Sequence, residues 1–378
     1  MRVSVDCSPL LIRCAGMKSY LYHFARNLLL HKGRHEFRAF PFLDWFGGLD
    51  LLDSSIDHER SMIGRYNTTA RLLMVNMANK GKHSLLDWAV PGVDLFYATN
   101  HVRNPPRRGK LATTLHDLTT YTVPECHPPS HREMENSFIQ NVVLRADAVI
   151  AISEHTRQDL IRIFDFPPER VEVIYQGIAD AYFATTPEGV AAVRARYGLD
   201  KPYILHVGTI EPRKNINTLF DAYERLKPSL REAFPLVLAG PIGWADAATI
   251  RRVQSPPAGV RYLGYLPEGD LPFVTAGATV CVYPSLYEGF GLPVPQAMAS
   301  GVAVLTSNVS ALPEVAGDAA ILVDPRSQAE IAAGIERLLT SPSLREDLIA
   351  TGRQRVQRFR WDRSAKQTWD YFERVCGG

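Results

Sequence analysis

The feature that most constrains the fold of this chain is a regular alternation of short apolar runs with amphipathic stretches. The second half contains six such runs: Tyr203–Gly208, Leu236–Gly240, Val260–Gly264, Thr279–Pro284, Val302–Thr306 and Ala320–Asp324. Each is nearly continuous in apolar residues, as is typical of strands buried on both faces. Stretches with helical periodicity lie between them, such as Asn215–Lys227 and Ser327–Leu339. The alternation predicts an α/β fold with a parallel, doubly wound sheet.

The first half shows the same alternation less regularly. Its predicted strands are Arg2–Asp6, Asp94–Thr99, Leu111–Leu115, Ala148–Ile152 and Val171–Tyr175. Its predicted helices are Met17–Leu30, His131–Arg145 and His155–Phe164. Residues 41–92 are irregular and are interpreted as an insertion.

The length of 378 residues suits two domains rather than one. Residues 178–200 contain proline and glycine and show no strand pattern, so we place the domain boundary in this stretch. We predict a first Rossmann-like domain over residues 1–185 and a second over residues 186–359. A last helix, at 360–376, is predicted to pack back on the first domain.

The composition excludes several classes of protein. A formal net charge of +2 argues against a dedicated nucleic-acid binder, which would be strongly basic. The five cysteines form no Cys-x-x-Cys pair, which disfavours a zinc site and suits a reducing cytoplasm. No apolar run reaches the roughly 18 residues needed to span a bilayer. Met1 leads directly into a predicted strand, so we expect no signal peptide and a cytoplasmic location.

The most specific motif is the segment Tyr283–Gln296, which continues from a predicted buried strand. Gly289 and Gly291 allow the backbone to approach a ligand closely. Pro293 suits the first position of a helix, whose N-terminal amides favour an anion such as a diphosphate. The Glu288 carboxylate can accept hydrogen bonds from sugar hydroxyls, and Gln296 lies one turn inside the helix, within reach of a ribose. The alternative interpretation is a tight strand–turn–helix connection with a surface glutamate.

Two adjacent cations, Arg213 and Lys214, precede the helix predicted from Asn215. Positive charges at the start of a helix oppose its dipole, so a purely structural role is poorly motivated. Diphosphate binding explains them, because arginine offers a planar fork and lysine a point charge. A solvated basic loop is the alternative.

A His116-Asp117 pair directly follows the strand predicted at Leu111–Leu115. A histidine at the carboxyl end of a strand can hydrogen-bond a sugar hydroxyl or support charge on a reacting centre. The alternative is a capping aspartate beside a structural histidine.

These motifs resemble the signature of family 4 retaining glycosyltransferases. That resemblance implies the GT-B fold, in which two Rossmann-like domains with parallel doubly wound sheets face a central cleft. In the family, one glutamate contacts the donor sugar and a second, after seven residues, binds the ribose. Here Glu288 and Gln296 hold these positions, and an amide can still hydrogen-bond a ribose diol. Lys214 matches the lysine of the family, whereas Thr209 replaces its arginine, so that Arg213 has to substitute.

The resemblance also assigns residues by position. It implies a first domain that binds the acceptor and a second that binds a nucleotide-sugar. It places His116 near the donor sugar. In the family a glycine-rich loop borders the diphosphate, and Gly16 is the glycine of that loop that this chain retains. The catalytic residues that it implies are His116, Arg213, Lys214 and Glu288. The donor-binding residues that it implies are Gly16, Gly208, Arg213, Lys214, Glu288, Gly289, Phe290, Gly291, Leu292 and Gln296.

The function implied is a retaining transferase that moves a hexose from a nucleotide-sugar to a glycan or lipid-linked acceptor. By likeness to bacterial polysaccharide and O-antigen enzymes, the expected donor is GDP-mannose and the expected process is cell-surface polysaccharide synthesis. A UDP-sugar-dependent transferase and a non-catalytic nucleotide-sugar-binding protein remain alternatives. No Asp-x-Asp motif is placed to hold a metal, so we expect neither metal nor cofactor. Neither half has the Gly-x-Gly-x-x-Gly of a Rossmann dehydrogenase.

A basic, apolar-rich stretch lies within the insertion, and no acidic residue occurs between Glu59 and Asp87. Its cations are Arg60, Arg65, Arg71, Lys80 and Lys82. Such a stretch can contact an anionic membrane, which predicts a peripheral location on the inner face of the cell membrane. The alternative is a helical insertion packed on the first domain.

Overall fold

The computed structural model describes residues 1–11, 17–41, 73, 76, 77, 79 and 86–377. These residues form two compact units. The first comprises Met1–Leu118, Pro129–Gly177 and Arg360–Gly378, and the second comprises Thr119–Pro128 and Ile178–Phe359. The chain leaves the first unit after Gly177, whereas the predicted boundary was at residue 185. A short excursion, Thr119–Pro128, groups with the second unit, although it lies inside the range predicted for the first domain.

Each unit is built on a parallel sheet, for which the described residues give six strands. The strands of the first sheet are β1 (Arg2–Asp6), β2 (Glu36–Phe40), β3 (Leu95–Ala98), β4 (Lys110–Leu115), β5 (Ala148–Ala151) and β6 (Val171–Val173). The strands of the second sheet are β7 (Ile204–Val207), β8 (Leu236–Ala239), β9 (Val260–Tyr262), β10 (Val280–Tyr283), β11 (Ala303–Ser307) and β12 (Ala320–Val323).

Helices connect the strands in both units. Those described before the second sheet begins are α1 (Met17–Leu30), α2 (Leu86–Ala89), α3 (Thr119–Thr122), α4 (Pro129–Asn141), α5 (Glu154–Phe164) and α6 (Pro187–Arg196). Those that follow are α7 (Ile216–Glu224), α8 (Pro228–Ala233), α9 (Ala247–Gln254), α10 (Leu271–Ala276), α11 (Pro293–Ala299), α12 (Leu312–Ala316), α13 (Gln328–Thr340), α14 (Pro342–Arg355) and α15 (Trp361–Gly377). Among the helices of the described residues, none is long and apolar enough to cross a membrane.

The last helix, α15, belongs to the core of the first unit. Its Trp369 and Phe372 are buried in the same apolar cluster as Leu21 and Phe24 of α1. The indole of Trp369 also donates a hydrogen bond to the carbonyl oxygen of Leu28 at 3.0 Å. The chain therefore returns to its starting unit at its end.

The strand orders fix where each sheet can bind a ligand. They are β2-β1-β3-β4-β5-β6 in the first sheet and β12-β11-β10-β7-β8-β9 in the second. The direction of winding reverses between β1 and β3, and again between β7 and β10. In doubly wound sheets, ligands bind in the crevice beyond the carboxyl ends of the strands at such a reversal. The loops that follow β7 and β10 are therefore the first place to look for a site in the second unit.

Candidate functional site

Hydrogen bonds hold the loop after β7 against the loop after β10. The amide of Leu286 donates to the carbonyl oxygen of Arg213 at 2.9 Å. In return, the Arg213 guanidinium donates to the carbonyl oxygen of Tyr287 at 2.8 Å. The Asn215 side chain donates to the carbonyl oxygen of Pro284 at 3.0 Å. The two loops thus form one rigid surface at the winding reversal of the sheet.

Asn215 joins this surface to a third loop. Its backbone is left-handed, with φ of 62°, a conformation that asparagine tolerates better than most residues with a side chain. Its amide donates to the carbonyl oxygen of Pro325 at 2.7 Å as well as to that of Pro284. Asn215 stands at the N-cap position of α7, as the sequence indicated, but its side chain caps no helix amide and ties loops together instead.

Four ionisable side chains meet on this surface, and we call them the charge cluster: Glu211, Arg213, Lys214 and Glu288. Arg213 lies 2.5 Å from Glu288 Oε2 and 2.6 Å from Glu211 Oε1. The Lys214 Nζ atom lies 2.6 Å from Glu288 Oε1. No side chain of the four is more than 11% exposed. Two cations and two carboxylates make the cluster neutral overall, which limits the cost of burying the charges.

Two hydroxyl groups also contact the Glu288 carboxylate. The Tyr283 phenol lies 2.6 Å from Lys214 Nζ and donates to Glu288 Oε1 at 2.8 Å. The Ser285 hydroxyl also lies 2.7 Å from Glu288 Oε1. The sequence analysis did not select Tyr283 or Ser285, because hydroxyl side chains at the end of a strand are common there without any function.

The surroundings of the charge cluster set its ionisation. Burial by itself raises the pKa of Glu288, but the charges of Arg213 and Lys214 outweigh burial and lower it to about 2. Burial and the adjacent Arg213 charge lower the pKa of Lys214, against the opposing effect of Glu288 and Glu211. Glu288 is therefore a firmly held anion between two cations at physiological pH.

A histidine that the sequence analysis missed lies beneath the cluster. His206, on β7, is fully buried, and its Nδ1 lies 3.0 Å from the carbonyl oxygen of Val282. Its ring stacks on that of Tyr283, with the centroids 5.6 Å apart. Burial lowers the pKa of His206 to about 4. Because a carbonyl only accepts, the proton of this neutral ring is on Nδ1.

Gly208 lies next to the charge cluster, directly after β7. A Cβ atom at Gly208 would lie 3.7 Å from the Lys214 side chain. At Gly240, after the neighbouring strand β8, a Cβ atom would lie only 2.0 Å from the carbonyl oxygen of Gly208. The backbone of Gly240 therefore supports the Gly208 loop at a distance that no other residue type allows.

The segment that leads from Glu288 into α11 is tightly packed. Gly291 has φ of 79°, in the left-handed region that favours glycine. The predicted donor contact Phe290 is only 2% exposed, and its ring packs against Phe359 with the centroids 5.3 Å apart. The side chain of Phe290 is thus part of the core, which leaves its backbone and that of Gly289 as the parts next to Glu288.

The helix α11 begins at Pro293, as the sequence predicted, and has seven residues. The amide of Val294 bonds to the carbonyl oxygen of Gly291, and that of Gln296 bonds to the carbonyl oxygen of Leu292. The Gln296 bond is the ordinary helical one, whereas the Val294 amide is used within the turn, and Pro293 and Pro295 have no amide hydrogen. The first turn of α11 therefore has few amides to direct at an anion. Gln296 is half-buried, one turn inside the helix.

In the first unit, His116 directly follows β4. Its ring meets that of Tyr20 edge to face, with the centroids 4.5 Å apart and an interplanar angle of 89°. Burial lowers the pKa of His116 to about 4, against the opposing effect of Asp117. The imidazole is therefore neutral at physiological pH, which favours hydrogen bonding to a hydroxyl over stabilisation of a negative charge.

His116 also lines a small cavity at the carboxyl ends of β3 and β4. The other walls include Tyr20, Thr99, Asn100, Thr114 and Phe138. The side-chain oxygen of Asn100 is buried and has no hydrogen-bond partner among the described residues. A polar group of a ligand in this cavity would satisfy that oxygen.

A second carboxyl group near His116 escaped the sequence analysis. Burial, together with the nearby Asp117, raises the pKa of Glu135 to about 8. Glu135 lies on α4, one turn before the cavity residue Phe138. In the sequence it belongs to a charged helical run, which is typical of a solvated face.

The predicted site residues are thus distributed over both units. The second unit brings Arg213, Lys214 and Glu288 into direct contact although Lys214 and Glu288 are 74 residues apart in sequence. His116 belongs to the first unit. The predicted contact Gly16 lies outside the described residues, as do the five cations of the basic stretch, Arg60, Arg65, Arg71, Lys80 and Lys82.

Chemically, the second unit presents two buried cations that share one carboxylate. Such cations can exchange that carboxylate for phosphate oxygens, since arginine and lysine bind both anions in the same way. Among the described residues, no group of three or more His, Cys, Asp or Glu side chains is arranged to hold a metal ion.

Comparisons with known proteins agree with this geometry. Residues 192–355 match the family model for glycosyl transferases group 1, and residues 71–182 match that for glycosyltransferase family 4. The chain is 32% identical to O-antigen chain mannosyltransferase B of Escherichia coli, over 97% of this chain and 98% of that protein.

Solved structures share the whole fold at low sequence identity. One is Anabaena Alr3699/HepE in complex with UDP and glucose, with a TM-score of 0.71, 18% identity and coverage of 98% of each chain. Another is WaaG, a glycosyltransferase involved in lipopolysaccharide biosynthesis, with a TM-score of 0.63, 15% identity and coverage of 100% of each chain. At these identities the likeness shows the fold alone, which is the GT-B fold.

Proposed function

This chain belongs to the family 4 glycosyltransferases, and on that premise we propose that it transfers mannose from GDP-mannose to a growing glycan, with retention of the anomeric configuration. That the protein is a glycosyltransferase follows from its family. The acceptor in this proposal is a saccharide, free or lipid-linked, of a bacterial cell-surface polysaccharide.

The observation that carries the proposal is the pair of cations, Arg213 and Lys214, at the winding reversal of the second sheet. Both are buried beside Glu288, so a diphosphate that binds them meets fixed charges in a largely water-free setting. Fixed charges aimed at a leaving group stabilise the negative charge that develops there. Cleavage of the bond between the sugar and the diphosphate is the step that they assist.

The roles of the other residues follow from this placement. Glu288 accepts hydrogen bonds from the hydroxyls of the donor sugar, and the neutral imidazole of His116 donates to or accepts from one of them. Gln296 hydrogen-bonds the ribose in place of the usual glutamate. The acceptor hydroxyl attacks on the face from which the diphosphate departs, and the departing phosphate takes its proton. In this proposal Arg213 and Lys214 take the place of a metal ion at the diphosphate, and no cofactor takes part.

Mannose is proposed from the relative that matches over nearly the full length of the chain and whose name specifies a mannosyltransferase. Guanine is proposed from the resemblance to bacterial O-antigen and exopolysaccharide enzymes. A UDP-sugar is the second candidate, because a solved structure with the same fold holds UDP and glucose. The GT-B fold is compatible with either donor, so the choice of base and sugar depends on individual side chains.

The test is a thermal-shift panel of GDP, UDP and ADP with their sugars, in the presence of EDTA. A ligand that binds only the native state raises the melting temperature by mass action. We expect GDP and GDP-mannose to give the largest shifts, and we expect radiolabelled mannose to pass to a mannan or O-antigen acceptor under the same conditions. A preference for UDP would replace the donor, and a requirement for added metal would contradict the metal-free mechanism.

We also propose that the protein contacts the inner face of the cell membrane through the basic stretch that contains Arg60, Arg65, Arg71, Lys80 and Lys82. The expected result is binding to liposomes with anionic lipid that falls when these five cations are replaced by glutamine. Replacing five cations of the second unit is the matched control. Equal binding by both variants would reject the proposal.

A further inference from the structure

Glu288 receives two kinds of hydrogen-bond donor. Arg213 and Lys214 are cations and come from the loop after β7. Tyr283 and Ser285 are neutral and belong to the same segment as Glu288 itself, at the end of β10. When a diphosphate binds, the two cations and the two neutral hydroxyls respond differently.

A diphosphate and Glu288 compete for the same two cations. The charge cluster is neutral without a ligand, so an entering diphosphate gives it an excess of negative charge. Arg213 and Lys214 then have to turn part of their hydrogen bonding toward phosphate oxygens. Of the contacts that the described residues make with Glu288, those from the neutral hydroxyls do not take part in this exchange.

The two hydroxyls are not equivalent. A hydroxyl has one proton to donate. The Ser285 oxygen lies within hydrogen-bonding distance of three acceptors: the carbonyl oxygens of Arg213 and Tyr287, and Glu288. The Tyr283 oxygen accepts a hydrogen bond from Lys214, and its own hydroxyl donates to Glu288. Tyr283 is therefore the neutral group whose hydrogen bond to Glu288 has no competitor among these contacts.

Tyr283 is also held more firmly than a surface tyrosine. It is 1% exposed, and its ring stacks on the buried ring of His206. Its carbonyl oxygen accepts a hydrogen bond from the Thr306 hydroxyl on β11 at 2.9 Å. The phenol is thus fixed by the strand on either side of it.

We propose that Tyr283 is a positioning residue for glycosyl transfer: its phenol holds the Glu288 carboxylate in place after Arg213 and Lys214 have turned to the diphosphate. This inference rests on the proposed function, because it requires a donor with a diphosphate. Glu288 then meets the sugar in a fixed orientation, and the loss of the phenol affects the bound state more than the free protein.

The test is Tyr283→Phe, which removes the hydroxyl and keeps the stacked ring. Three quantities are measured: the affinity for inorganic pyrophosphate and for GDP, kcat and KM for the transfer, and the melting temperature. We expect kcat to fall about tenfold, while the dissociation constants of pyrophosphate and GDP change less than about twofold, because both cations remain. A tenfold loss corresponds to about 1.4 kcal/mol of transition-state stabilisation.

The matched control is Tyr203→Phe. Tyr203 is also fully buried, and its phenol donates to the carbonyl oxygen of Val274, away from the charge cluster. We expect this variant to lose stability with an unchanged kcat. A purely structural role for Tyr283 predicts the same behaviour as Tyr203→Phe, or a parallel loss of pyrophosphate affinity, kcat and melting temperature, and either result overturns the inference.

If Tyr283→Phe does not fold, 3-fluorotyrosine at position 283 supplies the same comparison, because its more acidic phenol is a stronger hydrogen-bond donor. We then expect kcat to change at least about twofold with unchanged pyrophosphate affinity, and an unchanged kcat overturns the inference. Failure of the proposed function looks different. In that case the native protein itself binds neither pyrophosphate nor any nucleoside diphosphate, and the inference falls with it.

Discussion

At the scale of single residues, Arg213 makes contacts that no other side chain can replace. Its guanidinium bonds Glu288 and the carbonyl oxygen of Tyr287 through one nitrogen and Glu211 through the other. Three acceptors shared between two nitrogens match the fork of arginine, whereas lysine offers a single nitrogen. The residue thus fixes the loop after β10 and supplies a charge at the same time.

We expect Arg213→Lys to lower kcat by roughly 10- to 100-fold while the protein stays folded, because the charge remains but the planar contacts are lost. Arg213→Ala leaves two buried carboxylates with one cation, and loss of one partner of a buried ion pair costs about 3–5 kcal/mol of unfolding free energy. Initial rates and urea unfolding measure the two effects.

The control for Arg213 is Arg252→Lys. Arg252 also contacts two carboxylates, Asp221 and Glu224, but on a more exposed surface of the same unit. We expect a change within about 0.5 kcal/mol and normal activity there. Equal effects of the two lysine substitutions would show that the geometry around Arg213 has no special importance.

At the scale of elements, the sequence predicted the strands that are apolar along their whole length. Strands β7, β8 and β10 are buried on both faces, which gives the continuous apolar runs on which the prediction relied. The edge strand β2 was missed, because Glu36 and Arg38 alternate with its buried residues. An alternating pattern of five residues beside an irregular stretch does not stand out in a sequence.

The candidate site was likewise predictable from the sequence only in part. Arg213, Lys214 and Glu288 could be selected because charged residues directly after apolar strands have few structural reasons to be there. That Arg213 and Lys214 pair with Glu288 itself could not be predicted, since it depends on which strands are neighbours. His206 and Tyr283 were missed because inside a strand they look like ordinary core residues.

The element that supports the site from below is the turn after β8. Gly240 has φ of 146°, and a Cβ atom there would collide with the carbonyl oxygen of Gly208, which is backbone and cannot rotate away. We expect Gly240→Ala to shift the Gly208 loop together with Lys214. Backbone strain of this kind costs on the order of 1–3 kcal/mol. GDP affinity should fall at least about tenfold, as measured by calorimetry.

Substitutions at two other glycines of the second unit serve as controls that separate backbone strain from a steric collision. A Cβ atom at Gly264 or at Gly269 has no atom within 4 Å, and Gly264 alone of these two has a left-handed φ, of 72°. Gly264→Ala therefore shows how backbone strain alone changes GDP affinity, without a collision. Gly269→Ala introduces neither strain nor a collision and should leave GDP affinity unchanged. Normal GDP affinity in Gly240→Ala would mean that the turn after β8 does not position the site.

At the scale of the whole molecule, the described residues give each unit one histidine whose pKa is lowered to about 4 by burial: the partly exposed His116 in the first and the fully buried His206 in the second. In the unfolded chain a histidine titrates near 6.5. Between these values the unfolded state binds more protons than the folded one, so stability falls as pH falls from about 6.5 toward 4. Glu288, with its pKa of about 2, adds a further loss only as pH falls below about 4.5.

We therefore expect His206 to lower the free energy of unfolding of the second unit by about 2 kcal/mol between pH 7 and pH 5. In the first unit Glu135 opposes the loss from His116, because with a pKa of about 8 it binds a proton in the folded state and not in the unfolded one over this range. Unfolding followed by calorimetry at both pH values measures this. His206→Phe keeps an aromatic ring against Tyr283 but cannot titrate, so it should remove the loss in the second unit and leave the first unit as it was. His116→Phe removes the opposing histidine term, so the first unit should then become more stable as pH falls from 7 to 5, through Glu135. The two variants control for each other, because each changes one unit only. If stability in both variants fell with pH as steeply as in the native protein, carboxylates rather than buried histidines would govern the acid sensitivity of this glycosyltransferase.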